Sequence, residues 1–243
     1  MGVQLSKLVV KRVVELRGLR GKRVAVDANN VLHQFLALVR KPDGTPLTDP
    51  QGRVTSHLVG LAFRSTRLLC DYGIDLFFVF DGPPPSFKQR ELARRREVKE
   101  KAAREWLEAL RRGDLSKAFS KAVMTGVLTK EMVEDSKRLL KLLGVPYVEA
   151  PSEGEAQAAF MAARGDVWAA GSHDFDSLLF GSPRLVRYLT IQGTEFLPSK
   201  GLARRLKPEV IELQRTLDHI GLTREQLVDV AILLGTDYNE GVR

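Results

Sequence analysis

Four short apolar runs in this chain lead into carboxylates, and that recurrence limits the possible folds more than any other feature. Arg23-Val24-Ala25-Val26 runs into Asp27, and Leu76-Phe77-Phe78-Val79-Phe80 runs into Asp81. Tyr147-Val148 is followed by Glu153 and Glu155, and Val167-Trp168-Ala169-Ala170 by Asp174 and Asp176. Apolar runs this short, bounded by turn residues, read as strands buried on both faces. Helical patterns separate them, so the expected fold class is α/β, with a mainly parallel twisted sheet covered by helices on both faces. In such a sheet the carboxyl ends of the strands share one edge, where ligands bind. The acids should therefore meet there.

The remaining elements follow from periodicity and punctuation. Leu5, Leu8, Val9, Val13 and Leu16 recur at helical spacing and predict an amphipathic helix ending near Gly18. Strand 23–26, helix 28–39, a loop over 41–52, helix 55–69 and strand 75–80 come next. Ser86 and Gln89 have capping-box spacing, so a long charged helix should run from Phe87 to about Arg112, with a shorter one over 114–125. A core helix from Thr129 ends at Gly144, followed by strand 145–148, helix 153–164 and strands 167–170, 184–189 and 195–197. Pro208 should open a helix to Leu217, and Thr223 with Gln226 should cap another that reaches Leu234. The expected division is a first sheet region over 1–98, a polar helical cap inserted at 99–128 and a second sheet region over 129–243.

Charge is unevenly placed along the 243 residues, whose formal net charge is +8. Residues 1–23 carry seven basic side chains against Glu15 alone, and residues 88–112 carry ten against five acidic ones. Those stretches hold +6 and +5, leaving −3 for the rest. Basic stretches beside an acidic remainder suit a polyanion whose reacting phosphate meets metal ions, although solvated lysines and arginines give the same sum. Cys70, the only cysteine, excludes an internal disulfide, fits a reducing intracellular compartment and lies in an apolar run expected in the core. The four histidines lack zinc-ligand spacing, and no apolar run is long enough to span a membrane.

Each acid has an ordinary structural use as well. Asp27 can cap the helix after it, Glu155 can pair with Ser152 in a capping box, and Asp237 can end a helix at Gly235-Thr236. As a set, Asp27, Asp81, Glu153, Glu155, Asp174, Asp176 and Asp237 are harder to explain that way. Two carboxylates about 4 Å apart repel by about 1 kcal/mol in water and by more in a less polar medium. Cations must offset this, and oxygen-only donors favour two Mg²⁺ ions, with Mn²⁺ as substitute, about 3.5–4 Å apart. Such a pair hydrolyses phosphodiesters without a covalent enzyme intermediate. Lys88 and Arg95, seven residues apart, share a helix face just beyond Asp81 and are placed to hold the scissile phosphate. The plainer account of that face is solvation, with Glu91, Glu97 and Glu100 as its partners.

Six ordered motifs, Val26-Asp27-Ala28, Thr55-Ser56-His57-Leu58-Val59-Gly60, Val79-Phe80-Asp81-Gly82, Pro151-Ser152-Glu153-Gly154-Glu155-Ala156-Gln157, Asp174-Phe175-Asp176-Ser177-Leu178 and Leu233-Leu234-Gly235-Thr236-Asp237-Tyr238, resemble those of the archaeal and eukaryotic flap endonucleases. The resemblance covers the whole chain. It implies a PIN-like 5′ nuclease fold and cleavage of branched DNA at 5′ flaps, with 5′–3′ exonuclease activity, in Okazaki-fragment maturation and repair. It implies that Asp27, Asp81, Glu153 and Glu155 serve one metal directly or through water and Asp174, Asp176 and Asp237 the other, with Lys88, Arg95 and Asp174 in catalysis. Gly2, His33, Thr55, Arg64, Lys88 and Arg95 would contact DNA, Thr55 and Arg64 at a one-nucleotide 3′ flap. The helices to Thr125 would form a cap under which the 5′ strand threads.

Two departures set further expectations. His33 stands where many members carry a tyrosine that stacks on a base, which would make stacking weaker or pH-sensitive. The sequence ends at Arg243, ahead of the family's helix–hairpin–helix and sliding-clamp peptide, so a C-terminally truncated core with weaker, more salt-sensitive duplex binding is expected. The implied protein is a monomer, intracellular and DNA-associated, that meets a sliding clamp only when full-length. A PIN-type ribonuclease for single-stranded RNA and a catalytically idle DNA-binding module are the competing readings.

Overall fold

The sheet is laid out around one central strand that pairs in parallel on both sides. The computed structural model describes residues 3–190, 194–197 and 202–242. In chain order the elements are β1 (Lys11–Val13), β2 (Arg23–Asp27), α1 (Ala28–Leu38), α2 (Ser56–Cys70), β3 (Asp75–Phe80), α3 (Gln89–Arg111), α4 (Leu115–Ala122) and α5 (Lys130–Leu142). They continue with β4 (Tyr147–Glu149), α6 (Gly154–Arg164), β5 (Ala169–Gly171), α7 (Asp176–Leu179), β6 (Arg184–Arg187), β7 (Thr194–Leu197), β8 (Leu202–Arg205), β9 (Glu209–Glu212), α8 (Leu213–Ile220) and α9 (Arg224–Leu234). The main sheet has the order β1-β9-β6-β5-β2-β3-β4, and β7 and β8 form a separate pair. β6, β5, β2, β3 and β4 are parallel, while β9 runs antiparallel to both β6 and β1. From β2 the chain goes to β3 and β4 on one side and later to β5 and β6 on the other. The topological switch point thus lies between β2 and β5.

Alternation along each strand explains why both faces are covered. Val24 and Val26 of β2 join Phe35, Leu61, Leu68 and Leu140 in one core, beneath α1, α2 and α5. Ala25, Ala170 and Val79 point the other way, into a core with Ala158, Met161 and Ala162 of α6. A third cluster gathers Val3, Leu5, Phe175, Leu185, Ile211, Leu217 and Leu227 around α7, α8 and α9. Small residues under α6 bring that helix close to the sheet. α3 and α4 pack on each other through buried alanines, Ala102 and Ala109 on one and Ala118 and Ala122 on the other. This pair is fastened to the loop after α1: Trp106 Nε1 donates to the Asp43 carbonyl at 3.4 Å, and Arg40 Nη2 donates to the hydroxyl of Thr125, just after α4, at 3.4 Å.

The structure corrects several expectations. The N-terminal helix is absent: residues 11–13 form β1, and a 3-10 turn covers Leu16–Leu19. Val9, Val10, Val13 and Val14 are β-branched and stiff at χ1, and the open edge of β9 offers them a ladder. Pro208 opens a strand instead of a helix, because Glu209-Val210-Ile211-Glu212 pairs with both β6 and β1, and α8 begins only at Leu213. The Ser86 capping box is not formed. Pro85 precedes a 3-10 turn over Ser86–Lys88, with no side-chain cap, and α3 starts at Gln89. Ser152 does not cap α6 either; Glu153 occupies that position, and Ser152 Oγ donates to the Pro83 carbonyl at 3.3 Å. Cys70, at the end of α2, is exposed. The Thr223–Gln226 capping box on α9 is present with both of its bonds. Among the described residues, no helix is long and apolar enough to cross a membrane.

One close approach yields a test. A Cβ on Gly60 of α2 would lie 2.4 Å from Cγ of Phe35 on α1, a buried ring. Alanine is the better helix former by about 1 kcal/mol, whereas overpacking a core costs about 1–3 kcal/mol. Gly60→Ala is expected to lower stability by a net amount of about 1 kcal/mol or more in chemical denaturation. An unchanged or raised midpoint would show that the α1–α2 contact yields freely.

Candidate active site

The strand ends deliver acids to the switch point, and helix starts fix their direction. Asp27 closes β2 and caps α1, accepting from the Asn30 amide at 3.0 Å. Asp81 follows β3, and its Oδ1 accepts from the Gly154 amide at 2.7 Å. Glu153 precedes α6 and Glu155 lies in its first turn, where Oε1 accepts from the buried Ser177 hydroxyl at 3.0 Å. Asp174 follows β5, across the switch point from Asp27, and Asn30 Nδ2 reaches its Oδ2 at 3.2 Å. Asp176 opens α7 and accepts from the Val3 amide at 2.9 Å, which ties the start of the chain to the site. Asp237 arrives from the turn after α9.

All seven carboxylates line one cavity of about 370 Å³, together with Asn29, Asn30, His33, Lys88, Arg95 and Tyr238. Their electrostatics show the strain of gathering them. Burial, then the charges of Asp81 and Asp174, push Asp27 up to about 8 against the opposing Asn30 amide. Burial and the neighbouring Asp27, Asp176 and Asp174 push Glu155 well above the carboxylate range. Asp176 rises to about 6, through burial first and then Asp174 and Asp237. Asp81 is also raised, chiefly by burial. Asp237 goes the other way: burial would raise it, but nearby positive charge, including Arg95 and Lys88, outweighs that and lowers it.

Lys88 and Arg95 do share a face, and it points into this cavity. The Lys88 ammonium donates to Glu153 and lies 3.5 Å from Asp237. Arg95 Nη2 donates to Asp237 at 2.5 Å, while its Nε donates to Glu91 at 3.0 Å. The Tyr238 hydroxyl also donates to Glu153. Two of the acids are thus occupied by cations of the chain itself. Among the described residues, no three His, Cys, Asp or Glu side chains are closed into a group that could hold a metal. The donor set nevertheless fits Mg²⁺, which takes only one or two carboxylates directly and keeps several waters. Only oxygen donors face the cavity from the acids, and the upward shifts of buried Asp27 and Glu155 mark charge that a divalent cation would stabilise.

The other sequence-expected residues divide. His33, exposed at the rim, lines the same cavity, and desolvation followed by the charges of Lys99 and Arg95 lowers it to about 4. A lowered pKa favours the neutral ring near pH 7. Arg64 lines a different cavity of about 850 Å³ with Phe35, Val59 and Phe63. Thr55, just before α2, donates its amide to the Leu47 carbonyl at 2.8 Å and is not among the residues lining the acidic cavity. Gly2 lies outside the described residues. Asn29 and Asn30 went unnamed in the sequence reading, and Ser177 and Tyr238 stood there only as motif members without a role. The signal for the first two was available: a polar pair directly after a strand-ending acid faces the same edge as that acid.

This arrangement matches known proteins along the whole chain. The XPG N-terminal domain family matches residues 1–102, and the XPG I-region family matches residues 144–237. The chain is 52% identical over 248 residues to flap endonuclease 1 of Staphylothermus marinus, covering all of this chain and 71% of that relative. Among solved structures, flap endonuclease-1 from Methanococcus jannaschii superposes with a TM-score of 0.75 at 44% identity, covering 100% of this chain and 73% of that one. The catalytic core of Rad2 in complex with a DNA substrate gives 0.69 at 28% identity, covering 100% and 64%. With half its residues shared with a relative of which it spans more than two thirds, and with the acids at one switch point, the chain belongs to the flap endonuclease 1 family.

Proposed function

We propose that this chain carries the nuclease core of a structure-specific 5′ flap endonuclease, with 5′–3′ exonuclease activity, acting in DNA replication and repair. The observation that carries the reading is one cavity holding seven carboxylates and two cations, Lys88 and Arg95, at the switch point of a parallel sheet. The reaction adds water to phosphorus and breaks one phosphodiester P–O bond, leaving a 5′ phosphate and a 3′ hydroxyl. Nuclease activity in this family is metal-dependent, and two Mg²⁺, or Mn²⁺ in their place, are proposed here. When bound, such ions offset phosphate charge and lower the pKa of a water. Asp27, Asp81, Glu153 and Glu155 would hold one, and Asp174, Asp176 and Asp237 the other.

The side chains around the acids do the positioning. Lys88 and Arg95 pair with Glu153 and Asp237, which are also proposed ligands. Divalent cations on those carboxylates would free the ammonium and guanidinium to grip the scissile phosphate through charge-assisted hydrogen bonds. Asn30 holds Asp174, and the Gly154 amide holds Asp81. The flap is proposed to pass beside α3 and α4, the cap inserted at 99–128 between the regions 1–98 and 129–243. Gly2 and His33 would contact DNA near the cut, and Thr55 and Arg64 a short 3′ flap. The protein is proposed to act as an intracellular, DNA-associated monomer, with a sliding clamp as partner of the longer protein.

Two outcomes check this reading. Labelled 5′-flap DNA should be cut in Mg²⁺ and left intact in excess chelator. Asp174→Ala should bind the flap without cutting it, and Lys88→Ala should slow single-turnover cleavage by about 10²–10³-fold. A parent that binds but cuts under no divalent metal would instead mark an idle binding module. The second outcome concerns His33. With its pKa lowered to about 4, the parent-to-His33→Phe rate ratio should stay flat between about pH 6 and about pH 8. A change in that ratio centred near pH 6.5 would show an ordinary, titrating imidazole.

A further inference from the structure

Beneath the loop that carries Asp174 and Asp176 lies an ion pair that the reaction does not use. Arg187 ends β6 and is 6% exposed; Glu209 opens β9 and is 3% exposed. They face each other in the antiparallel register, with Arg187 Nη1 donating to Glu209 Oε2 at 3.2 Å. The guanidinium has two further bonds. Nε donates to the His173 carbonyl at 2.8 Å, and Nη2 meets the Tyr188 hydroxyl at 3.2 Å. Its Cζ also sits 4.1 Å from the centroid of the Phe175 ring. One planar group therefore grips both neighbours of Asp174, and Phe175 is also the residue that precedes α7, whose first member is Asp176. Tyr188 has φ of 57°, in the left-handed region, which among the described residues no other non-glycine adopts.

Strand pairing does not require this pair. β6 and β9 share three other register partners, among them the buried Leu185 with Ile211 and Val186 with Val210. Replacing a buried ion pair by apolar side chains is often neutral or stabilising, so net stability is a poor reason for one here. What the guanidinium supplies is geometry, since its fork bonds in several directions while its flat face stacks. Glu209 offsets its charge, so that no net positive charge stands under a site meant for cations.

We infer that Arg187, neutralised by Glu209, is a positioning residue that sets Asp174 and Asp176 for the second divalent ion. This rests on the proposed assignment of those two acids to one metal. The test uses the full chain with Arg187→Lys, Glu209→Gln and, as a control for simple destabilisation, Leu140→Ala in the core under α5. Mn²⁺ binding to the DNA-free protein is read by calorimetry, and the Mg²⁺ concentration for half-maximal single-turnover cleavage is read separately. Arg187→Lys keeps the charge but loses the fork, and should weaken Mn²⁺ binding by about 10–100-fold and raise the Mg²⁺ midpoint in step. Glu209→Gln should shift both in the same direction by less, and Leu140→Ala should shift neither despite its lower melting temperature. Parental Mn²⁺ affinity in both ion-pair variants, or losses that merely track melting temperature as in the control, would overturn the inference. Because Mn²⁺ binding is read without DNA, a chain that binds the ion yet leaves flap DNA uncut contradicts the nuclease reading and not this one.

Discussion

Mutual repulsion among carboxylates at the sheet edge is the constraint that the rest of the molecule accommodates. Parallel strand order makes the gathering unavoidable: Asp27 and Asp174 end up on adjacent strands because β2 and β5 flank the switch point. Helix starts help, since Asp27, Glu155 and Asp176 each lie at the beginning of a helix, where the backbone carries partial positive charge. That benefit is about 0.3–1 kcal/mol per acid. Two unit charges about 4 Å apart interact by about 4 kcal/mol at the effective dielectric near a protein surface. Backbone dipoles therefore lose, and full cations are needed. The upward displacement of Asp27 to about 8 and of Asp176 to about 6 comes from burial first and from the neighbouring carboxylates second.

The chain meets part of the demand itself, through Lys88 and Arg95. Both come from the segment just after the Asp81 strand end; Lys88 goes to Glu153 and Asp237, and Arg95 to Asp237. Asp27, Asp81 and Glu155 are served differently, by the Asn30 amide, the Gly154 amide and the Ser177 hydroxyl. Neutral donors orient a carboxylate without cancelling its charge. The site is thus graded: one group of acids is fixed in place but still anionic in demand, and another is held by side chains long enough to let go.

Much of this could be read from the residues, because strand-ending acids are a local pattern and the parallel sheet turns local position into spatial proximity. β2, β3, α1, α2 and the capping box of α9 lie where the periodicity placed them. The failures over residues 5–16 and 208–217 have a common origin at the opposite edge of the sheet. Residues 5–16 and 208–217 both show helical spacing, yet β1 and β9 form there because each supplies the other's ladder. Spacing along one segment cannot reveal a partner nearly two hundred residues away. The same blindness hid Glu209, whose role depends on facing Arg187 across the β6–β9 register. Lys88 and Arg95 were legible as a shared face, but their hold on Glu153 and Asp237 was not, since it depends on how α3 leans over the edge.

The glycines inside the acidic motifs have a packing reason that makes them part of the site. A Cβ on Gly82 would fall 2.2 Å from the Ala150 carbonyl oxygen, and one on Gly154 would fall 3.0 Å from the Val79 carbonyl and 3.1 Å from Asp81 Oδ1. Both clashes are with backbone or with the acid itself, which cannot step aside as a flexible side chain can. The turn after β3 and the turn before α6 therefore touch backbone to backbone, with the Ala150 amide donating to the Phe80 carbonyl at 2.8 Å and the Gly82 amide to the Ser152 carbonyl at 2.6 Å. That contact is what brings Asp81 beside Glu153 and Glu155, although 72 positions separate Asp81 from Glu153 in the chain. Asp81-Gly82 and Glu153-Gly154-Glu155 are in this sense one unit: the acids supply the charge, and the absent side chains supply the nearness that makes the charge useful.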